Sequence, residues 1–172
     1  MKSYKELLPA ISTFVFDVDG VLTDGSVILH ANDYLRILNS KDGYALQYAA
    51  KMGYHIFIIT GGSSELVKER LLELGVKEVF LRASDKKTVY QELKAKYQLQ
   101  DTEILYMGDD IPDYPILKQC GVSTCPQDAV MEIKQICHYQ SPIYGGKGCV
   151  RDVIEQTLRV QGKWFSEQAF QW

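Results

Sequence analysis

The 172 residues carry a formal charge of -3 at pH 7, with 46% hydrophobic and 24% charged side chains. That is chain enough for one self-sufficient core, and the balance is wrong for a disordered or fibrous protein. No Lys/Arg stripe marks a polyanion footprint and no apolar run approaches a membrane span, so neither nucleic acid nor membrane is expected as a partner.

In chain order, a strand is expected over Thr13–Val18. Two β-rich runs follow, Ser26–His30 and Tyr34–Asn39, separated by Ala31-Asn32-Asp33, and read as a projecting hairpin. Then helix and strand alternate: helix Gly43–Lys51, strand His55–Thr60, helix Ser63–Leu74 stopped by Gly75, and strand Glu78–Leu81. Helix Asp85–Tyr97, strand Glu103–Met107, helix Pro112–Gln119 and strand Gly121–Thr124 continue the pattern, and helices Asp128–Gln135 and Val150–Val160 end it. Such alternation points to an α/β fold, a three-layer Rossmann-like parallel sheet with helices on both faces. No stretch is long enough for a cap domain, so residues 1–172 read as one domain with a tail from about residue 162. That tail carries Trp164, Phe165, Phe170 and Trp172, aromatics that dock either on the domain or on a neighbour. Cys120, Cys125, Cys137 and Cys149 form no Cys-x-x-Cys pair, and buried reduced thiols fit a cytoplasmic protein. The first residues show no long apolar core or small-residue cleavage site, which agrees with that location.

The chemistry concentrates at strand ends. Phe14-Val15-Phe16 runs into Asp17-Val18-Asp19-Gly20, and Ile104-Leu105-Tyr106-Met107 runs into Gly108-Asp109-Asp110-Ile111-Pro112-Asp113. Carboxylates placed after buried strands are costly unless paired or used. In an open α/β sheet those ends face the ligand crevice. Two such clusters suit a hard cation held by oxygens. A strand-end Asp17 can attack phosphorus, and Asp19, expected on the same side of the strand, can protonate a leaving oxygen and later activate water. Turn capping alone is a weak account of two acids flanking one residue. Thr60-Gly61-Gly62-Ser63 offers a hydroxyl and bared backbone N–H groups to a phosphate, although alone it reads more readily as a helix cap. Ser84-Asp85-Lys86-Lys87 places a lysine at the mouth of the next helix, where solvated lysines are the ordinary reading.

Together, in this order, the four segments resemble the haloacid dehalogenase-like phosphohydrolase superfamily. The resemblance implies Asp17 as nucleophile, Asp19 as acid/base, Thr60 as phosphate-binding hydroxyl and Lys86 as motif lysine, with Lys87 leaving the register open by one. It implies one Mg2+ per subunit on Asp17, Asp109 and the backbone carbonyl of Asp19, with Asp110 and Asp113 ordering waters or the lysine. A narrower resemblance covers nearly the whole chain. The capless length, the hairpin, Asn39-Ser40-Lys41-Asp42-Gly43-Tyr44, the Gly108–Asp113 motif and Gly145-Gly146-Lys147-Gly148-Cys149-Val150-Arg151 are similar to the 3-deoxy-D-manno-octulosonate 8-phosphate phosphatase family. That resemblance implies a cytoplasmic homotetramer in lipopolysaccharide precursor synthesis, its active sites covered by neighbouring subunits. Its substrate is a phosphorylated 2-keto-3-deoxy sugar acid. Gly61 and Gly62 fall at phosphate-binding positions, and Lys41 and Lys147 are candidates for the substrate carboxylate. Lys41, Gly62 and Lys147 stand where the family often has Arg, and lysine lacks the guanidinium fork. Those departures touch substrate identity, so a nonulosonate 9-phosphate is the alternative substrate. A receiver-like signalling domain has no need of Asp19, and a non-catalytic scaffold has no need of the full set of acids.

Overall fold

The computed structural model describes residues 3–31 and 34–171, so Asn32, Asp33 and Trp172 of the hairpin turn and tail lie outside the described residues. Six strands form one parallel sheet: β1 (Thr13–Phe16), β4 (His55–Ile59), β5 (Glu78–Phe80), β6 (Ile104–Met107), β7 (Val122–Cys125) and β8 (Tyr139–Gln140), in the order β5-β4-β1-β6-β7-β8. A separate antiparallel pair, β2 (Ile28–Leu29) and β3 (Tyr34–Leu35), is the projecting hairpin. The helices are α1 (Ser40–Lys51), α2 (Glu65–Glu73), α3 (Lys86–Tyr97), α4 (Tyr114–Leu117), α5 (Met131–Lys134) and α6 (Cys149–Val160). Among the described residues no helix is long and apolar enough to cross a membrane.

Strand alternation builds the three layers. Phe14 and Phe16 of β1 point to one face, with Ile56, Ile58, Leu105 and Met107, where α1, α2 and α6 supply Leu46, Leu71 and Ile154. Val15 points to the other, with Phe57, Ile59 and Tyr106, where α3, α4 and α5 supply Tyr90, Ile116 and Ile133. Burial on both faces explains why the central strands read as unbroken apolar runs. β1 pairs with β4 on one side and β6 on the other, so the direction of winding reverses between β1 and β6. Phe16 lies level with Met107, and the residues that follow them, Asp17 and Gly108-Asp109, leave the sheet side by side. This is the switch-point crevice of a doubly wound sheet.

The structure corrects several sequence boundaries. β1 ends at Phe16, and Asp19 lies in a turn (φ -73°, ψ 121°) beyond the strand rather than along its face. The expected helix Pro112–Gln119 is a 3-10 turn, Ile111–Asp113, followed by α4, and the expected Asp128–Gln135 helix is a single turn, α5. The hairpin ladder is two residues long on each side, because its strands are exposed and pack on no second layer. The edge strand β8 escaped the sequence reading, its Tyr139-Gln140 lacking an apolar run. Three cysteines are buried, Cys137 is half-buried, and all four are free thiols. The tail docks largely on α1: Tyr48 donates from its hydroxyl to the Lys163 carbonyl at 2.9 Å and meets Trp164 edge-on at 5.2 Å. Phe165 and Phe170 remain exposed and meet each other edge-on.

Asp42 ties two of these elements together. It sits in the first turn of α1 and is buried, and its Oδ1 accepts the Arg151 N–H at 2.7 Å in the first turn of α6. Its Oδ2 has no hydrogen-bond partner among the described residues. Burial therefore outweighs the backbone donors and pushes the carboxyl up from 3.8 to about 6. The folded state then holds more protons than the unfolded chain between those values, so stability falls as pH rises through that window. Asp42→Asn should remove about 3 kcal/mol of this pH dependence. In thermal melts, the variant should gain on the wild type from pH 4 to 6.5, and parallel melting curves across that range would contradict the assignment.

Candidate active site

At the switch point, Lys86 from the first turn of α3 reaches across the carboxyl ends of the strands. Its Nζ lies 2.7 Å from Asp17 Oδ2 and 2.8 Å from Asp113 Oδ1. All three side chains are buried. Lys87 is exposed, so Lys86 is the lysine at the centre of this group. Tyr106, one residue before the end of β6, donates from its hydroxyl to Asp113 Oδ1 at 2.6 Å. Asp17 also accepts from its neighbour, the Val18 N–H, at 2.7 Å. Asp109 completes the group: Asp17, Asp109 and Asp113 each bring a carboxylate oxygen within 4.8 Å of the others. Gly20, at φ +85°, allows this approach, since a Cβ there would overlap the Asp109 carboxylate.

Three carboxylates face one ammonium. Burial and the repulsion from Asp113 raise Asp17 to about 7 despite the pull of Lys86. Burial, with Asp17 and Asp113, raises Asp109 to about 7 as well. Burial works against the Lys86 ammonium, but Asp17 and Asp113 more than offset it and hold its pKa above the usual lysine value. The cluster therefore keeps its lysine protonated and has surplus negative charge to share. Carboxylate oxygens grouped in this way form a donor set that suits a hard divalent cation.

These groups line an open cleft of about 410 Å³. Asp17, Asp19, Thr60, Gly61, Gly62, Lys86, Asp109, Asp110 and Asp113 all reach it. Thr60 is buried at the end of β4, and its Oγ1 accepts the Gly62 N–H at 3.0 Å. Asp110 is exposed and caps the 3-10 turn, accepting the Ile111 N–H at 2.7 Å. Lys41 and Lys147 do not line the cleft. Lys41 is exposed in the first turn of α1, and Lys147 pairs with Asp24 at 3.3 Å on the surface. The glycine-rich segment lies against the Asp17–Asp24 turn of its own chain, with the Gly146 N–H donating to the Val21 carbonyl at 2.9 Å.

Two residues that hold the acids of this cleft from outside its lining were missed in the sequence. Tyr106 hides in an apolar strand. Arg36, from the segment after β3, grips both oxygens of Asp19 at 2.6 and 3.0 Å. Its signal is a single cation inside the apolar run Tyr34-Leu35-Arg36-Ile37-Leu38.

The family model for haloacid dehalogenase-like hydrolases matches residues 41–121. The 3-deoxy-D-manno-octulosonate 8-phosphate phosphatase of Yersinia pestis is 34% identical over 154 residues, covering 89% of this chain and 82% of the relative. The chain belongs to this family of haloacid dehalogenase-like hydrolases. A crystal structure of the Yersinia pestis phosphatase superposes with a TM-score of 0.90 at 32% identity, covering 94% of this chain and 88% of that one. The Moraxella catarrhalis phosphatase, crystallised with magnesium ion, phosphate ion and a KDO molecule, gives 0.93 at 30% identity over 99% of both chains. The capless three-layer fold is thus that of the family, and the protein is a phosphoric monoester hydrolase.

Lys86→Met should leave Asp17 and Asp113 buried against each other without a cation, at a cost of about 3–5 kcal/mol in denaturant unfolding without divalent ions. Added Mg2+ should recover part of that loss by ligation of the same oxygens. A variant as stable as the wild type would show that the lysine does not neutralise this cluster.

Proposed function

We propose that the chain is a magnesium-dependent phosphatase that converts 3-deoxy-D-manno-octulosonate 8-phosphate to the free sugar acid and phosphate, in lipopolysaccharide precursor synthesis. The observation that carries this reading is Asp17, buried and oriented by Lys86 at 2.7 Å, in one cleft with Asp19, Thr60 and the Gly61-Gly62 turn. The relatives named above support the substrate, and the complex of the Moraxella catarrhalis enzyme supports the metal and the sugar acid together.

In the proposed mechanism one Asp17 oxygen attacks phosphorus in line with the departing sugar oxygen. Asp19 gives its proton to that oxygen as the O–P bond breaks, leaving an aspartyl-phosphate on Asp17. A water then attacks the same phosphorus, Asp19 takes a proton from it, and phosphate leaves with Asp17 restored. Thr60, the Gly61 and Gly62 backbone and Lys86 hold the phosphoryl oxygens. Asp17, Asp109 and the Asp19 backbone carbonyl are the proposed metal ligands, one ion per subunit. Asp113 holds Lys86 in place, and Asp110 caps the turn that carries Asp113. When bound, the divalent cation offsets the repulsion between the phosphate and the carboxylates.

The assembly is proposed to be a cytoplasmic homotetramer. Ile28, Leu29 and Tyr34 of the hairpin, and Ile37 after it, are all more than half exposed, an apolar surface suited to a second copy of the chain. Lys41 and Lys147, outside the cleft of their own chain, are proposed to meet the substrate carboxylate across such an interface.

Asp17→Asn should remove turnover by a factor of at least about 10⁴ while leaving the circular dichroism spectrum in place. Retained phosphate release would defeat the mechanism. Phosphate release measured side by side from octulosonate 8-phosphate and from two nonulosonate 9-phosphates should favour the eight-carbon substrate in kcat/KM by at least about tenfold, or 1.4 kcal/mol. The reverse preference would move the protein to the nine-carbon sugar acids with its chemistry unchanged.

A further inference from the structure

We propose that Arg36 is a positioning residue for Asp19, carried to the edge of the cleft by the segment after β3 and seated beside Gly62, which has no side chain. The proposal rests on the acid–base role given to Asp19 above.

The contact is two-armed. Arg36 Nε donates to Asp19 Oδ1 at 2.6 Å, and Nη2 donates to Oδ2 at 3.0 Å. A third donor, Nη1, is fixed on the Tyr34 carbonyl at 2.7 Å, which anchors the guanidinium to its own hairpin strand. The Arg36 side chain is only 7% exposed, although it comes from the most exposed element of the fold. Its other neighbour is the phosphate-facing turn. A Cβ at Gly62 would lie 3.3 Å from Arg36 Nη2, 3.3 Å from Thr60 Oγ1 and 3.6 Å from Asp19 Oδ2. A side chain at this position would crowd the fork and the threonine and touch the acid.

This geometry bears on a particular step. Asp19 lies beyond the strand end, in a turn, so the backbone does not aim its carboxylate. A guanidinium fork fixes both the position and the plane of a carboxylate, which a single point charge does not do. Proton transfer needs one Asp19 oxygen within hydrogen-bond reach of the leaving oxygen. Arg36 therefore gives up one arm when substrate enters, the freed Asp19 oxygen takes up from solvent the proton that it then delivers to the leaving oxygen, and the other arm stays as a pivot so that Asp19 swings in one plane only. If the pair served just to pin the hairpin down, its loss would act on every step alike.

The leaving group separates the two roles. A sugar alkoxide needs its proton as the O–P bond breaks, whereas p-nitrophenolate leaves with little help. Arg36→Ala should lower kcat for the best alkyl phosphate of the wild type by about 10–100-fold. The first-turnover burst of p-nitrophenolate from p-nitrophenyl phosphate should change by less than about threefold, because that step draws little on the acid. Arg36→Lys, which keeps the charge and loses the fork, should recover part of the alkyl rate. It also supplies the reading should the alanine variant not fold. Equal loss on both substrates would make the pair purely structural and overturn the proposal. So would an unchanged alkyl kcat, including a change confined to KM, which would make Arg36 a substrate ligand. Failure of the wild type on octulosonate 8-phosphate would defeat the substrate reading alone, since the comparison runs on any alkyl phosphate that the protein hydrolyses.

Discussion

The cleft is organised by one buried ammonium. Lys86 binds Asp17 from the end of β1 and Asp113 from the turn after β6, and it does so from the first turn of a helix that follows a third strand. The arrangement requires the β1–β6 register, the β5-to-α3 connection and the 3-10 turn after β6 to be correct at the same time. A shift of one residue in the β1–β6 pairing would carry Asp17 to the other face of the sheet. The Asp85 side chain caps α3 by accepting the Thr88 N–H at 3.2 Å, which fixes where the helix begins and so where Lys86 points. Tyr106 adds a hydroxyl from beneath. Fold and site are in this sense a single constraint: the acids are tolerable in the core because the lysine is there, and the lysine is there because three chain segments converge.

The lysine neutralises only part of the charge. With Asp17 raised to about 7 by burial and Asp113, and Asp109 raised to about 7 by burial, Asp17 and Asp113, the metal-free cluster binds protons that any cation must displace. Such a site costs stability when empty and gains most from a ligand set that brings both signs of charge, a cation for the carboxylates and an anion for Lys86 and the Thr60–Gly62 turn. A phosphate ester with its divalent counterion has that composition.

How much of this was legible in the sequence depended on how local each feature is. The central strands announce themselves because burial on both faces makes them mostly apolar, and the acids stand out by ending those runs. Thr60 and Lys86 are weak signals singly and acquired meaning only in order with Asp17 and Asp109. Helix ends were less readable: α1 begins at Ser40 rather than Gly43 because Asn39 caps it, accepting the Lys41 N–H at 2.8 Å while its amide donates to the distant Gly146 carbonyl at 3.2 Å. β8 was invisible because a two-residue edge strand needs little from its side chains. Arg36 was hidden for a different reason. Its partner is 17 positions away, across a hairpin with no periodicity to count, so only the fold brings the two together.

The hairpin is therefore more than an ornament on a phosphatase core. Its outward residues Leu29 and Ile37 are apolar and exposed, while Arg36 turns inward to the carboxylate most concerned with proton transfer. In an extended segment neighbouring side chains point to opposite sides, so whatever fixes the outward row also fixes the depth of the inward one. A surface that settles on the outer face would hold Arg36 at a set height above Gly62 and Thr60, and with it the plane of Asp19. A scaffold without a cap domain can in this way still link what settles on its hairpin to the placement of its acid, through Leu35 at the end of β3 and the Arg36 and Ile37 that follow it.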